Sequence, residues 1–73
     1  MEGRTTNELV RIASAGGGLR FNGGGRVTDE LVRIASATAS GGGHLYLTGM
    51  SGRTTDEFVR IASAGQGRVT IES

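Results

Sequence analysis

Cysteine, proline, tryptophan and lysine are all missing from the 73 residues. Without cysteine there is neither a disulfide framework nor a thiolate zinc site, and the redox compartment is left open. The one histidine, His44, cannot build a His-rich metal site, so no metal or other cofactor is expected. With proline absent, the turns fall to fourteen glycines. Neither charge sign dominates: eight basic residues, all arginine, stand against seven acidic ones, so neither nucleic acid nor an anionic membrane is expected as a partner. No apolar run approaches the roughly 20 residues of a spanning helix. The start MEGRTTNE lacks the basic beginning and apolar centre of a signal peptide, which makes the cytoplasm the default expectation for a localisation otherwise unknown.

What the chain has is one phrase written three times. GRTTNELVRIASAGGG begins at Gly3, GRVTDELVRIASATASGGG at Gly25 and GRTTDEFVRIASAGQG at Gly52. The shared core T-[ND]-E-[LF]-V-R-I-A-S-A starts at Thr6, Thr28 and Thr55, offsets of 22 and 27 residues that fall in the range of solenoid repeats. Each copy then passes through glycines into a short alternating segment: LRFN, HLYLT or RVTIE. The chain therefore divides into repeats of approximately 3–22, 25–49 and 52–73 within a single domain, 1–73. Repeated words over a narrow alphabet are what recent duplication, a consensus sequence or a designed protein leaves.

The first part of each unit has helical spacing. Leu31, Ile34 and Ala35 mark one face, and Leu9, Ile12, Ala13 and Phe58, Ile61, Ala62 repeat it, so three equivalent helices are expected to bury equivalent faces. Thr6, Thr28 and Thr55 suit N-caps. Thr5 with Glu8 and Thr54 with Glu57 fit a capping box that the second copy loses at Val27. Asp29 with Arg33, and Asp56 with Arg60, have the i,i+4 spacing of ion pairs on the opposite face. Gly16, Gly41 and Gly65 are expected as left-handed helix ends. Helices of about ten residues are too short to stand alone and must lean on another surface.

The second part supplies that surface. Leu19 and Phe21, Leu45 and Leu47, Val69 and Ile71 alternate with polar residues, as in strands with one buried face. Strands separated by helices are normally parallel and joined by right-handed crossovers. The expected fold is α/β: three αβ repeats forming a three-stranded parallel sheet with all helices on one face, a solenoid-like slab. The open face would carry Arg20, Asn22, His44, Tyr46, Thr48, Arg68, Thr70 and Glu72, a possible protein-binding face.

LYLTGMSGRTTDEFVRIASA, residues 45–64, and LRFNGGGRVTDELVRIASA, residues 19–37, resemble leucine-rich repeats of the ribonuclease-inhibitor or bacterial GALA type. There an LxL strand leads through a turn into a helix opening with TDE. The likeness covers most of the chain, although Gly24 and Met50 stand near the place where those repeats put an asparagine or cysteine. The resemblance implies protein binding through the sheet face.

No catalytic set emerges, and an enzyme is not expected. The order strand, TGMSGRTT, helix is reminiscent of a phosphate-binding loop, in which glycines let backbone N–H groups cradle an anion. The spacing puts Leu47 where the first glycine belongs and Arg53 where the lysine belongs, and Asp56 and Glu57 repel an anion from the helix start. The glycines of GGGR, residues 23–26, read as a permissive turn. His44 near Ser40 has no neighbouring carboxylate to orient it, Ser40 falling in a loop and His44 reading as a solvated strand residue. Tyr46 could anchor a partner or stand as an isolated exposed aromatic. Ser14, Ser36 and Ser63 recur because the helix recurs.

Two readings of function follow. The first is a non-enzymatic repeat scaffold. Three repeats without evident caps leave a sheet edge and a helix flank uncovered, so a homo-oligomer joined end to end or sheet to sheet is expected, cyclic if the curvature closes. The alternative is a small-ligand or phosphate-binding domain using the glycine-rich strand-to-helix turns. On the scaffold reading Arg53→Ala should be almost silent; on the alternative it should abolish binding.

Overall fold

A computed structural model describes residues 4–72. Thr5 and Thr54 each accept the N–H three residues on, while Glu8 and Glu57 accept the threonine N–H in return. These capping boxes start α1 (Thr6–Ser14) and α3 (Thr55–Gly65). Thr6, Thr28 and Thr55 are thus the first helical residues, one position inside the caps expected of them. α2 (Thr28–Gly41) starts from Val27 with no side-chain cap, as the loss of the box predicts. It runs 14 residues against 9 and 11 for its neighbours, because the inserted TAS adds most of a turn. Its left-handed cap is Gly42, at φ 86°, and that of α3 is Gln66, at φ 51°. Of the three glycines expected in that role only Gly16, at φ 96°, adopts it. Gly41 instead permits a close approach, since a Cβ there would collide with the carbonyl of Ala13.

The alternating segments form β1 (Leu19–Asn22), β2 (Leu45–Thr48) and β3 (Val69–Ile71), a parallel sheet in the order β1-β2-β3. Leu19, Leu45 and Val69 share one register row, Arg20, Tyr46 and Thr70 the next, and Phe21, Leu47 and Ile71 the third. The first and third rows point into a core with Leu9, Ala13, Leu31, Ile34, Ala35 and Ile61 of the helices. All three helices therefore lie on one face, making a slab of 29 × 26 × 17 Å. Met50, in the β2–α3 turn, is fully buried with them.

Equivalent sequence does not give equivalent burial. Leu31, Ile34 and Ala35 of α2 are all 0% exposed, whereas Ile12 of α1 and Phe58 of α3 are only half-buried and Ala62 of α3 is exposed. The expectation of three equal faces fails because each face needs a neighbour on both sides and, among the described residues, only α2 has a helix on each side.

The repeats are joined by arginines. The Arg33 guanidinium donates to Asn7 Oδ1 at 3.0 Å, and that of Arg60 to Asp29 Oδ1 at 2.7 Å. The acceptor is the helix-start residue of the preceding repeat, so Asp29–Arg33 and Asp56–Arg60 do not form the i,i+4 pairs their spacing suggests. A second rung runs along the helix starts. Arg26 donates to Thr6 Oγ1 and to the Arg4 carbonyl, with its guanidinium 5.4 Å from the Phe21 ring centre. Its equivalent Arg53 donates to Thr28 Oγ1 at 2.6 Å and to the carbonyls of Gly23 and Arg26. Thr28 in turn donates to Glu57 Oε2 at 2.9 Å.

Candidate interaction surfaces

The open sheet face is built by strand alternation, which sends Arg20 and Tyr46 outward while Leu19, Phe21, Leu45 and Leu47 go into the core. Tyr46, 41% exposed, stands at its centre. Arg20 and Glu72 approach to 4.0 Å from opposite sides of the middle strand. His44 precedes β2 and is half-buried, not solvated as expected of it: its ring lies 4.6 Å from the Tyr46 ring and its Nε2 is 2.9 Å from Thr70 Oγ1. Arg68 donates to the Gly42 carbonyl, and the Thr48 hydroxyl to that of Phe21. Asn22 turns towards the strand-to-helix loops, where its Oδ1 accepts the Gly24 N–H at 2.8 Å. The eight residues thus share one side of the molecule, but Tyr46, His44, Thr70, Arg20 and Glu72 make its centre, while Asn22, Thr48 and Arg68 are tied to backbone at its margins.

The strand-to-helix turns form a shallow groove between Gly24, Arg26, Gly52 and Arg53. Arg53 is held by three acceptors, Thr28 Oγ1 and the carbonyls of Gly23 and Arg26, and the first turn of α3 is closed by Thr54 and Glu57. The same contacts hold the carboxyls down. The Thr5 N–H, joined by Arg4 and Arg11, lowers Glu8 below the ordinary glutamate range. The Thr54 N–H, then the Thr28 hydroxyl, does the same for Glu57. Ser40 lies in the last turn of α2, not in a loop, and like Ser14, Ser36 and Ser63 it is exposed. Among the described residues no three His, Cys, Asp or Glu cluster as a metal site would need, and no helix is long and apolar enough to cross a membrane.

Two further surfaces lie at the ends of the stack, and sequence reasoning pointed to them only as raw edges. On the α1 side Arg4, Glu8, Arg11, Ile12 and Ala15 line one groove. On the α3 side Phe58, Val59, Ala62, Ile71 and Glu72 line another. Aligning the three copies on their arginines would have found both, since every lining residue but Ile71 and Glu72 has an internal counterpart in the shared phrase. No family model, curated protein or solved structure matches the chain.

Proposed function

We propose that this chain is a non-enzymatic repeat scaffold, of the leucine-rich-repeat kind its sequence resembles, that joins copies of itself and offers its open sheet face to protein partners. The supporting observation is the apolar surface left at both ends. Val59 is 56% exposed beside half-buried Phe58 and Ile71, and on the other flank Ile12 is half-buried and Ala15 exposed. A stack of repeats needs polar caps or further units at such ends. Light scattering over a range of concentrations tests this: a mass that is a multiple of the chain mass supports assembly. A monomer at every concentration rejects assembly and leaves the sheet face as the only surface with a role.

The alternative, a phosphate or small-ligand site in the glycine-rich turns, must take Arg53 from Thr28, Gly23 and Arg26 and displace the Glu57 carboxylate from the helix start. On the scaffold reading, adding inorganic phosphate produces no amide shifts in the β2–α3 turn. Saturable shifts at Gly52 and Arg53 would favour the alternative.

A further inference from the structure

We propose that the two open flanks are the two halves of one joint, so that a second copy of this chain docks head to tail with its α1–β1 flank against the α3–β3 flank of the first. The inference rests on the scaffold reading and specifies its interface. Inside the chain the same joint occurs twice. Each time the later repeat supplies the arginine and the earlier one the acceptor: Arg33 to Asn7, then Arg60 to Asp29. Continued once more, the next donor is Arg11 of a second copy and the acceptor is Asp56. Both are exposed, and among the described residues neither has a hydrogen-bond or ion-pair partner.

The other rungs continue in the same register. Arg26 reaches Thr6 and the Arg4 carbonyl, and Arg53 reaches Thr28 and the Arg26 carbonyl. By that rule Arg4 of the second copy reaches Thr55 and the Arg53 carbonyl. In the sheet, Leu19 N–H bonds the His44 carbonyl and Leu45 N–H the Arg68 carbonyl, each at the residue before the next strand. Val69 N–H then falls opposite the Gly18 carbonyl of the second copy, which removes the free strand edge.

The apolar residues agree. Ile34 and Ile61, on the arginine side of α2 and α3, are 0% exposed, while their counterpart Ile12 is not fully covered. Ala13 and Ala35, on the acceptor side, are 0% exposed, while their counterpart Ala62 is exposed. What one flank leaves open, the other is shaped to fill, as each does inside the chain. Such an interface is heterologous and makes a ring or a filament according to whether the rotation closes.

The test uses exposed charges, so that the fold is left in place. Arg11→Glu and Asp56→Arg each put like charges across the joint and should weaken self-association by about tenfold or more. Mixed in equal amounts, the two variants have opposite charges at both flanks and should associate with each other at concentrations where neither associates alone. Ala62→Arg, which fills the groove without testing the rung, should give a monomer with an unchanged circular dichroism spectrum. If the unaltered chain assembles but the single variants do so equally well, if their mixture fails to associate, or if Ala62→Arg assembles undiminished, this interface is wrong while the scaffold reading stands. A chain that is monomeric throughout overturns this interface together with the self-assembly half of the scaffold reading.

Discussion

The inner and outer flanks of α3 are written in the same words as those of α2, yet only one of them is finished. On the inner side Arg60 meets Asp29 at 2.7 Å, Arg53 sits among three acceptors and Ile61 is 0% exposed. On the outer side Asp56 has no partner among the described residues, Ala62 is exposed and Phe58 is half-buried. Asp29 and Leu31, the same positions one repeat earlier, are respectively paired and fully buried. Burial here belongs to the joint between units and not to the unit, as expected when each repeat touches only its neighbours. Helices of 9 and 11 residues cannot supply much stability of their own.

The largest expected break in this contrast comes from one apolar position in two places. Ile34→Ala should cost about 2–5 kcal/mol, as for a fully buried isoleucine. Ile12→Ala, the same change at the open flank, should cost at least about 1 kcal/mol less, by urea unfolding at a concentration where the chain is monomeric. Next comes Gly41→Ala, whose methyl group meets the Ala13 carbonyl and should cost about 1–3 kcal/mol, against near neutrality for Gly25→Ala, which has open space.

Arg53→Ala sharpens the comparison from the polar side. It leaves Thr28 and two carbonyls without their donor and should cost about 1–3 kcal/mol by the same measurement. This loss replaces the near-silence expected of it from sequence, because the guanidinium is part of the α2–α3 joint. Arg60→Ala should cost only about 0.2–1 kcal/mol, since its pair with Asp29 is largely in solvent. Arg11→Ala removes a side chain that makes no hydrogen bond among the described residues and adds only to the field of Arg4 at Glu8, and should change the stability of the monomer less than Arg60→Ala does.

The smallest effect is a pH dependence. Glu8 and Glu57 have carboxyls lowered in the folded state by the Thr5 and Thr54 N–H groups. A folded value below the unfolded one means that their contribution is present above the ordinary glutamate range and is lost as acid protonates the folded carboxyl. Thermal unfolding should show the melting temperature falling on acidification through that range, and falling less in Glu57→Gln than in the unaltered chain.

Local rules made the elements legible. The Thr5–Glu8 and Thr54–Glu57 boxes act over three residues, and strand alternation in LRFN and LYLT acts over two, so both could be read before any contact was known. The parallel sheet then followed from the alternation of helix and strand. The rungs were not legible by the same means. Asp29 and Arg33 satisfy the i,i+4 pattern, but Arg33 turns to Asn7, 26 residues away, and Arg60 to Asp29, 31 residues away. A spacing rule on one helix cannot weigh an acceptor on the next. Met50 was hidden likewise, since a lone methionine among turn residues has no period, and it is buried because the turn folds over the end of the sheet. On the open face, Tyr46 followed from alternation, but the half-burial of His44 depends on Thr70 in another strand.

Amide hydrogen exchange at a low and a high protein concentration tests the claim that burial belongs to the joints most directly. The prediction is that α2 and β2 are the most protected elements at low concentration, and that the Val69 amide at the free edge of β3 slows as concentration rises. Equal protection of all three repeats at low concentration, with no change at Val69 on concentrating, would contradict it.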